Sequence, residues 1–214
     1  MDRHKTELLH RTFSAGLRPF VREMGMLVKS KLCGATHLVF EIKKQEYTPL
    51  CGGPNDSLSL RAYDTWDAIP EEMKGTIARD LHGEYWGKQE WIQIGWRFWV
   101  GTIEQELAIV GWTRGPGRCE DFFFPLSSDC GLLWQTVTVP KFRGRGLCSL
   151  VLSRMSGALF ENGVDRVYGS CRDYNLSSKR AIEKAGFKYI GRGFVQKRTG
   201  KGIWYPVARP FTEG

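Results

Sequence analysis

The stretch Trp134-Gln-Thr-Val-Thr-Val-Pro-Lys-Phe-Arg-Gly-Arg-Gly-Leu-Cys148 constrains the fold more than any other part of the chain. A β-branched strand runs into a glycine-rich turn, and an apolar helical pattern begins directly after it. A turn of this kind points successive backbone N–H groups outward at a helix N-terminus, where they and the positive helix end form an anion site. Gly144 and Gly146 let the backbone approach phosphate oxygens closely. Arg143 and Arg145 add positive charge beside it.

Three anionic ligands compete for such a turn. A nucleoside triphosphate loop requires Gly-x-x-x-x-Gly-Lys-Ser/Thr, and no such string occurs here. A dinucleotide fold places a third glycine at position 149, where Ser149 stands, and an acid at the end of the next strand, whereas Asp165 precedes that strand. The third ligand is the diphosphate of coenzyme A. The charge distribution suits it: residues 141–201 carry fourteen Lys/Arg against four Asp/Glu, while residues 32–140 carry nine against fifteen. A basic C-terminal half favours an anionic partner, either a polyphosphate or a nucleic acid.

The rest of the chain reads as alternating elements. Residues 6–32 show a helical apolar stripe (Leu9, Phe13, Leu17, Phe20, Met24, Leu27) beside basic positions, a face that packs on its own domain or lies on a membrane surface or partner. Strands are predicted at 37–42 and 58–62, a helix from Pro70 to Leu81, and a hairpin over 97–112 in an aromatic-rich stretch. Residues 113–130 read as an irregular loop long enough to bind something. Then follow a strand at 132–139, a helix at 147–161, a strand at 166–171, a helix at 176–185, a strand at 187–194 and a short strand near 203–207. This order predicts an α/β sheet with at least one parallel pair. The domain division expected is a basic helical segment over 1–36, one catalytic domain over 37–208 and a tail over 209–214.

The N-terminus lacks the apolar core and cleavage site of a secretory signal. None of the six cysteines is spaced as Cys-x-x-Cys or with histidines as in a zinc finger. Free thiols in the cytoplasm, and no metal, are therefore expected.

The second informative stretch is Asp173-Tyr-Asn-Leu-Ser-Ser-Lys-Arg-Ala-Ile-Glu-Lys-Ala-Gly-Phe187. With the Arg-Gly-x-Gly turn after Val137-Thr-Val-Pro140, it resembles the GNAT superfamily of acetyltransferases over residues 131–194. Either signature alone is unspecific; both in order, with a helix and a strand between, are specific. The resemblance implies an α+β fold with a mixed, splayed sheet flanked by helices, here with an N-terminal helical and strand extension.

In that fold the pantetheine arm of acetyl-CoA, the co-substrate, fills the gap between two parting strands. Main-chain groups of Val137, Thr138 and Val139 would pair with it. Arg143, Gly144, Arg145, Gly146, Leu147 and Cys148 would hold the diphosphate, and Asn175 and Ser178 would contact the arm or fix the loop around it. The implied activity is N-acetylation of an amine acceptor, a small molecule or amino sugar, by direct attack, with a homodimer as one expected assembly. Opposite charge on the two halves suggests a cationic acceptor.

The family pattern is not complete. Lys141 stands where the loop often begins with Gln or Arg. Many members place a tyrosine seven residues after the asparagine as proton donor to the departing thiolate; that position is Ile182. Candidate bases are Glu104 and Glu106 in the hairpin turn, Asp129, Glu84 and His82; candidate proton donors are Tyr174, Cys171 and Tyr168. A coenzyme A-binding module without turnover is the alternative that Ile182 motivates. Nucleic-acid binding is not expected, because no recognised motif accompanies the basic charge.

Overall fold

The computed structural model describes residues 35–51, 57–81, 91–92, 94–116, 122–195 and 202–207. The predicted N-terminal helix, and the candidate bases His82 and Glu84, lie outside the described residues. Among the described residues, eight strands and three helices follow in the order β1 (Ala35–Lys43), β2 (Leu58–Tyr63), α1 (Glu71–Leu81), β3 (Trp96–Ile103), β4 (Glu106–Arg114), β5 (Cys130–Thr138), α2 (Leu147–Glu161), β6 (Arg166–Arg172), α3 (Leu176–Lys184), β7 (Lys188–Val195) and β8 (Gly202–Pro206). Residues 35 and 36, assigned from the sequence to the N-terminal segment, already belong to β1.

All eight strands form one sheet in the order β2-β3-β4-β5-β6-β1-β7-β8. The predicted parallel pair is β5 with β6, joined through α2; every other neighbouring pair is antiparallel. The first strand of the chain is inserted between β6 and β7, bonded to both. Its composition explains this: Val39 and Phe40, which point to opposite faces, are both buried, as is Ile42, the signature of a strand covered on both faces.

The two faces of the sheet are covered differently. On one lie α2 and α3: Leu147, Val151, Met155 and Leu159 of α2 recur at helical spacing and are buried against it. The other face is aromatic. Phe98 and Trp112 stack with ring centroids 4.6 Å apart, and Trp91 lies 5.4 Å from Trp112, so the described tryptophans of that stretch are mainly sheet core. The end of the irregular loop closes the same face over β1, β6 and β8. Phe123 lies 5.1 Å from the His37 ring, and Phe124 lies 5.4 Å from Tyr168 and 4.7 Å from Trp204.

Candidate active site

The parallel ladder between β5 and β6 is short. It runs from Cys130↔Arg166 through Leu132↔Tyr168 to Leu133↔Gly169 and stops there. Beyond it β5 continues for five residues and β6 for three, each bonded only on its outer side. The two strands therefore part, leaving a fork flanked by Trp134 on β5 and Ser170 on β6.

A bulge marks the β5 side of the fork. Trp112 pairs with Trp134 and Val110 with Val137, so Gln135 and Thr136 together oppose Gly111. Gln135 takes a φ of 46°, a left-handed conformation rare for a residue with a side chain. Its Oε1 is buried without a hydrogen-bond partner. Bulges re-aim the backbone and are frequent beside active sites. Farther along β5, the Val139 N–H is spent on Ala108 C=O, and the Thr138 carbonyl accepts from Arg143 Nε at 3.1 Å. Those two groups of the predicted trio are thus already engaged.

The glycine turn lies at the open end of the fork. Gly144 and Gly146 have φ values of 82° and 79°, and α2 begins at Leu147 with Gly146 as N-cap and no side-chain cap. The first amides of α2 are left for an external partner. A Cβ on Gly144 would meet nothing within 4 Å, and one on Gly146 only Lys184 Nζ at 3.9 Å. This open space over uncapped amides fits a diphosphate. Lys184, at the end of α3, is a cation beside the turn that the sequence did not single out. The loop cations are positioned differently from one another. Arg143 is folded back onto β5, while Lys141 and Arg145 lie 5.0 and 5.2 Å from the Phe142 ring centre. Leu147 is buried, and burial pushes the Cys148 thiol up to about 12, so both anchor the helix start.

On the β6 side, Asn175 caps α3. Its Oδ1 accepts from the Ser178 N–H at 3.1 Å and the Ser177 hydroxyl at 2.9 Å. Burial pushes Cys171 up to about 11, against a hydrogen bond with Ser178. Ile182 is buried in α3 where the family tyrosine would stand, and Tyr174 lies in the turn between β6 and α3.

The carboxylates named from the sequence are not gathered at the fork. β4 runs antiparallel to β5, so its hairpin turn sits near the glycine loop, where Glu106 Oε2 accepts from Lys141 Nζ at 2.5 Å. Glu106 is six residues along β4 from Trp112, roughly 20 Å at the rise of a strand. Glu104, at the exposed tip of the turn, is farther still. Asp129 lies at the opposite end, and the Ser127 hydroxyl holds its carboxyl below the usual range. Tyr168 donates to Glu41 Oε1 at 2.8 Å, and burial with that carboxylate drives its phenol upward, which removes it as a ready proton donor.

Two polar residues that sequence reasoning passed over stand at the fork. Ser170 Oγ is 3.5 Å from His37 Nδ1, and burial, with the Arg172 charge, lowers His37 to about 3.

The comparisons with known proteins agree with this geometry. No curated protein matches the sequence. An acetyltransferase of the GNAT family from Colwellia psychrerythraea aligns with a TM-score of 0.53 at 15% identity, over 72% of this chain and 53% of that one. An N-acetyltransferase from Sphaerobacter thermophilus gives 0.50 at 14% identity, over 78% and 53%. A glucosamine N-acetyltransferase region of a fungal multi-domain β-N-acetylglucosaminidase gives 0.56 at 12% identity, over 80% and 22%. The chain thus spans about half the length of the two bacterial structures. Residues 63–187, more than half of the chain, match the acetyltransferase (GNAT) family, and with the splayed strands and the glycine turn in place the chain belongs to that family.

Proposed function

We propose that the protein is an acyl-CoA-dependent N-acetyltransferase that moves the acetyl group of acetyl-CoA to an amine acceptor, a small molecule or amino sugar. The observation that carries this reading is that β5 parts from β6 after Leu133 and, farther along, leads through the glycine turn into the uncapped start of α2. A diphosphate on the amides after Gly144 directs the pantetheine arm into the gap, and the thioester comes to rest near Trp134 and Ser170. The acceptor nitrogen attacks the thioester carbonyl; the N–C bond forms, the C–S bond breaks, the nitrogen releases its surplus proton to water and the thiolate of coenzyme A departs. An alkylammonium of pKa about 10 must lose its proton first. Main-chain N–H groups around the Gln135 bulge are the donors for the oxyanion.

Ile182 offers no proton to the departing sulfur. Cys171 keeps its proton at neutral pH, but a thiol pushed to about 11 gives that proton up unwillingly to an ordinary thiolate of about 8.5. It can stabilise the thiolate only by hydrogen bonding, and Tyr174 remains the candidate donor. The acidic segment before β5 supports a cationic acceptor. The second reading, a coenzyme A-binding module without turnover, is favoured by Ile182 alone. Thiol release from acetyl-CoA, measured over aminoglycosides, polyamines and amino sugars, separates the two. Amine-dependent release supports the transferase. Tight acetyl-CoA binding with no release on any acceptor supports the module.

A further inference from the structure

The β5–β6 ladder ends at Leu133↔Gly169, so Ser170 is the first β6 residue with no β5 residue opposite it. Its side chain faces the aromatic side of the sheet, as Tyr168 does two residues earlier. The sequence contains many serines; this one is distinguished by what stands behind it. β1, outside the matched family segment 63–187, is inserted next to β6 and brings His37 Nδ1 to 3.5 Å from Ser170 Oγ. The Phe123 ring closes the other side of the imidazole, 5.1 Å away. Ser170 is half-buried and stands at the edge of the gap, one residue past the end of the ladder.

We propose that Ser170, held from behind by His37, is the hydrogen-bond partner of the acceptor nitrogen at the fork. This rests on the reading that the acyl thioester lies between Trp134 and Ser170. The serine oxygen accepts an N–H of the incoming amine and points the nitrogen lone pair at the carbonyl carbon. His37 is a positioning residue: it fixes the serine rotamer and takes no proton itself. Burial keeps its ring neutral throughout the neutral range, which suits that role and not that of a base. An uncharged pair takes no proton from an ammonium, so the attacking nitrogen must arrive already neutral. On a cationic acceptor the site therefore selects an amine that is appreciably unprotonated at neutral pH.

The test uses hydroxylamine, a small nucleophile largely unprotonated at neutral pH, as the acceptor, and calorimetry for acetyl-CoA. Ser170→Ala is expected to lower the enzyme-dependent rate about 10-fold or more, with acetyl-CoA affinity unchanged within about twofold, the loss of one hydrogen bond. Ser170→Thr, which keeps the hydroxyl, retains most of the rate. His37→Asn lowers the hydroxylamine kcat without moving acetyl-CoA affinity and leaves the pH profile from 6 to 9 unchanged in shape. A wild-type rate in Ser170→Ala overturns the proposal. So does a matching loss of acetyl-CoA affinity, which would place Ser170 on the cofactor. So does wild-type protein that binds acetyl-CoA and does not accelerate the hydroxylamine reaction. Failure of the wild type to bind acetyl-CoA at all overturns the proposed function as well, so the two failures are distinct.

Discussion

Replacing Gly146 by alanine places a methyl group where the account seats phosphate oxygens. In the free protein that methyl meets only the end of Lys184, at 3.9 Å, so no clash opposes it. The cost is conformational. Gly146 has a φ of 79°, and an L-residue there costs about 1–2 kcal/mol. That is a fall in Tm of about 2–8 °C for a chain this size. Gly163, just past α2 and outside the fork, supplies the control: its φ is 84° and nothing lies within 4 Å of its Cβ position. Gly163→Ala therefore carries the same strain with no ligand to obstruct. In the wild type, acetyl-CoA at 100 times its Kd adds about 2.7 kcal/mol of stability, or about 5–10 °C. Gly163→Ala keeps that shift. Gly146→Ala loses it, because two charge-assisted amide bonds at about 1.5–3 kcal/mol each amount to at least a 100-fold loss of affinity. Differential scanning fluorimetry with calorimetry reads both quantities. Equal acetyl-CoA shifts in the two variants would refute the assignment of the loop.

Three further outcomes follow from the same geometry. Glu104→Gln and Glu106→Gln leave kcat within about threefold, since both lie at the loop end of the sheet and the exposed Glu106–Lys141 pair is worth under about 1 kcal/mol; a loss above 100-fold would restore one of them as the base. Gln135→Gly relieves a φ of 46° and raises Tm by about 2–4 °C, while a fall of that size would show that the side chain does more than bear strain. His37 has a folded pKa of about 3 against 6.5 unfolded. The unfolded chain therefore binds more protons between those values, and stability present above pH 6.5 is lost as pH falls toward 3. Urea unfolding should show this group costing about 2 kcal/mol at pH 5 relative to pH 8. His37→Asn removes that part of the slope; an unchanged slope contradicts the burial of the ring.

The local grammar of the chain was legible, and its long-range pairing was not. Val137 to Gly146 announced a strand, a glycine turn and a helix because each signal is carried by neighbours in sequence, and the structure forms all three. The start of α3 was legible for the same reason: the Asn175 cap acts over three positions. The insertion of β1 between β6 and β7 left no local trace, since a buried strand carries the same apolar run wherever it is placed. His37 and Ser170, 133 residues apart, meet only through that insertion. The distance of Glu104 and Glu106 from the fork was missed for a different reason. Their hairpin was predicted, and the antiparallel run of β4 on β5 puts its turn at the glycine loop, away from the fork. That signal was present in the strand order and needed only the direction of β4 to be followed. The 113–130 loop looked like a binding segment, yet Phe122 and Phe123 bury themselves on the sheet and act as core.

The most direct test of the account is a crystal structure of the protein with acetyl-CoA. The expected complex has the diphosphate on the main-chain amides from Gly144 into the first turn of α2, and the thioester in the fork between Trp134 and Ser170. Coenzyme A bound elsewhere, or β5 and β6 zipped together past Leu133 and Gly169, would contradict it.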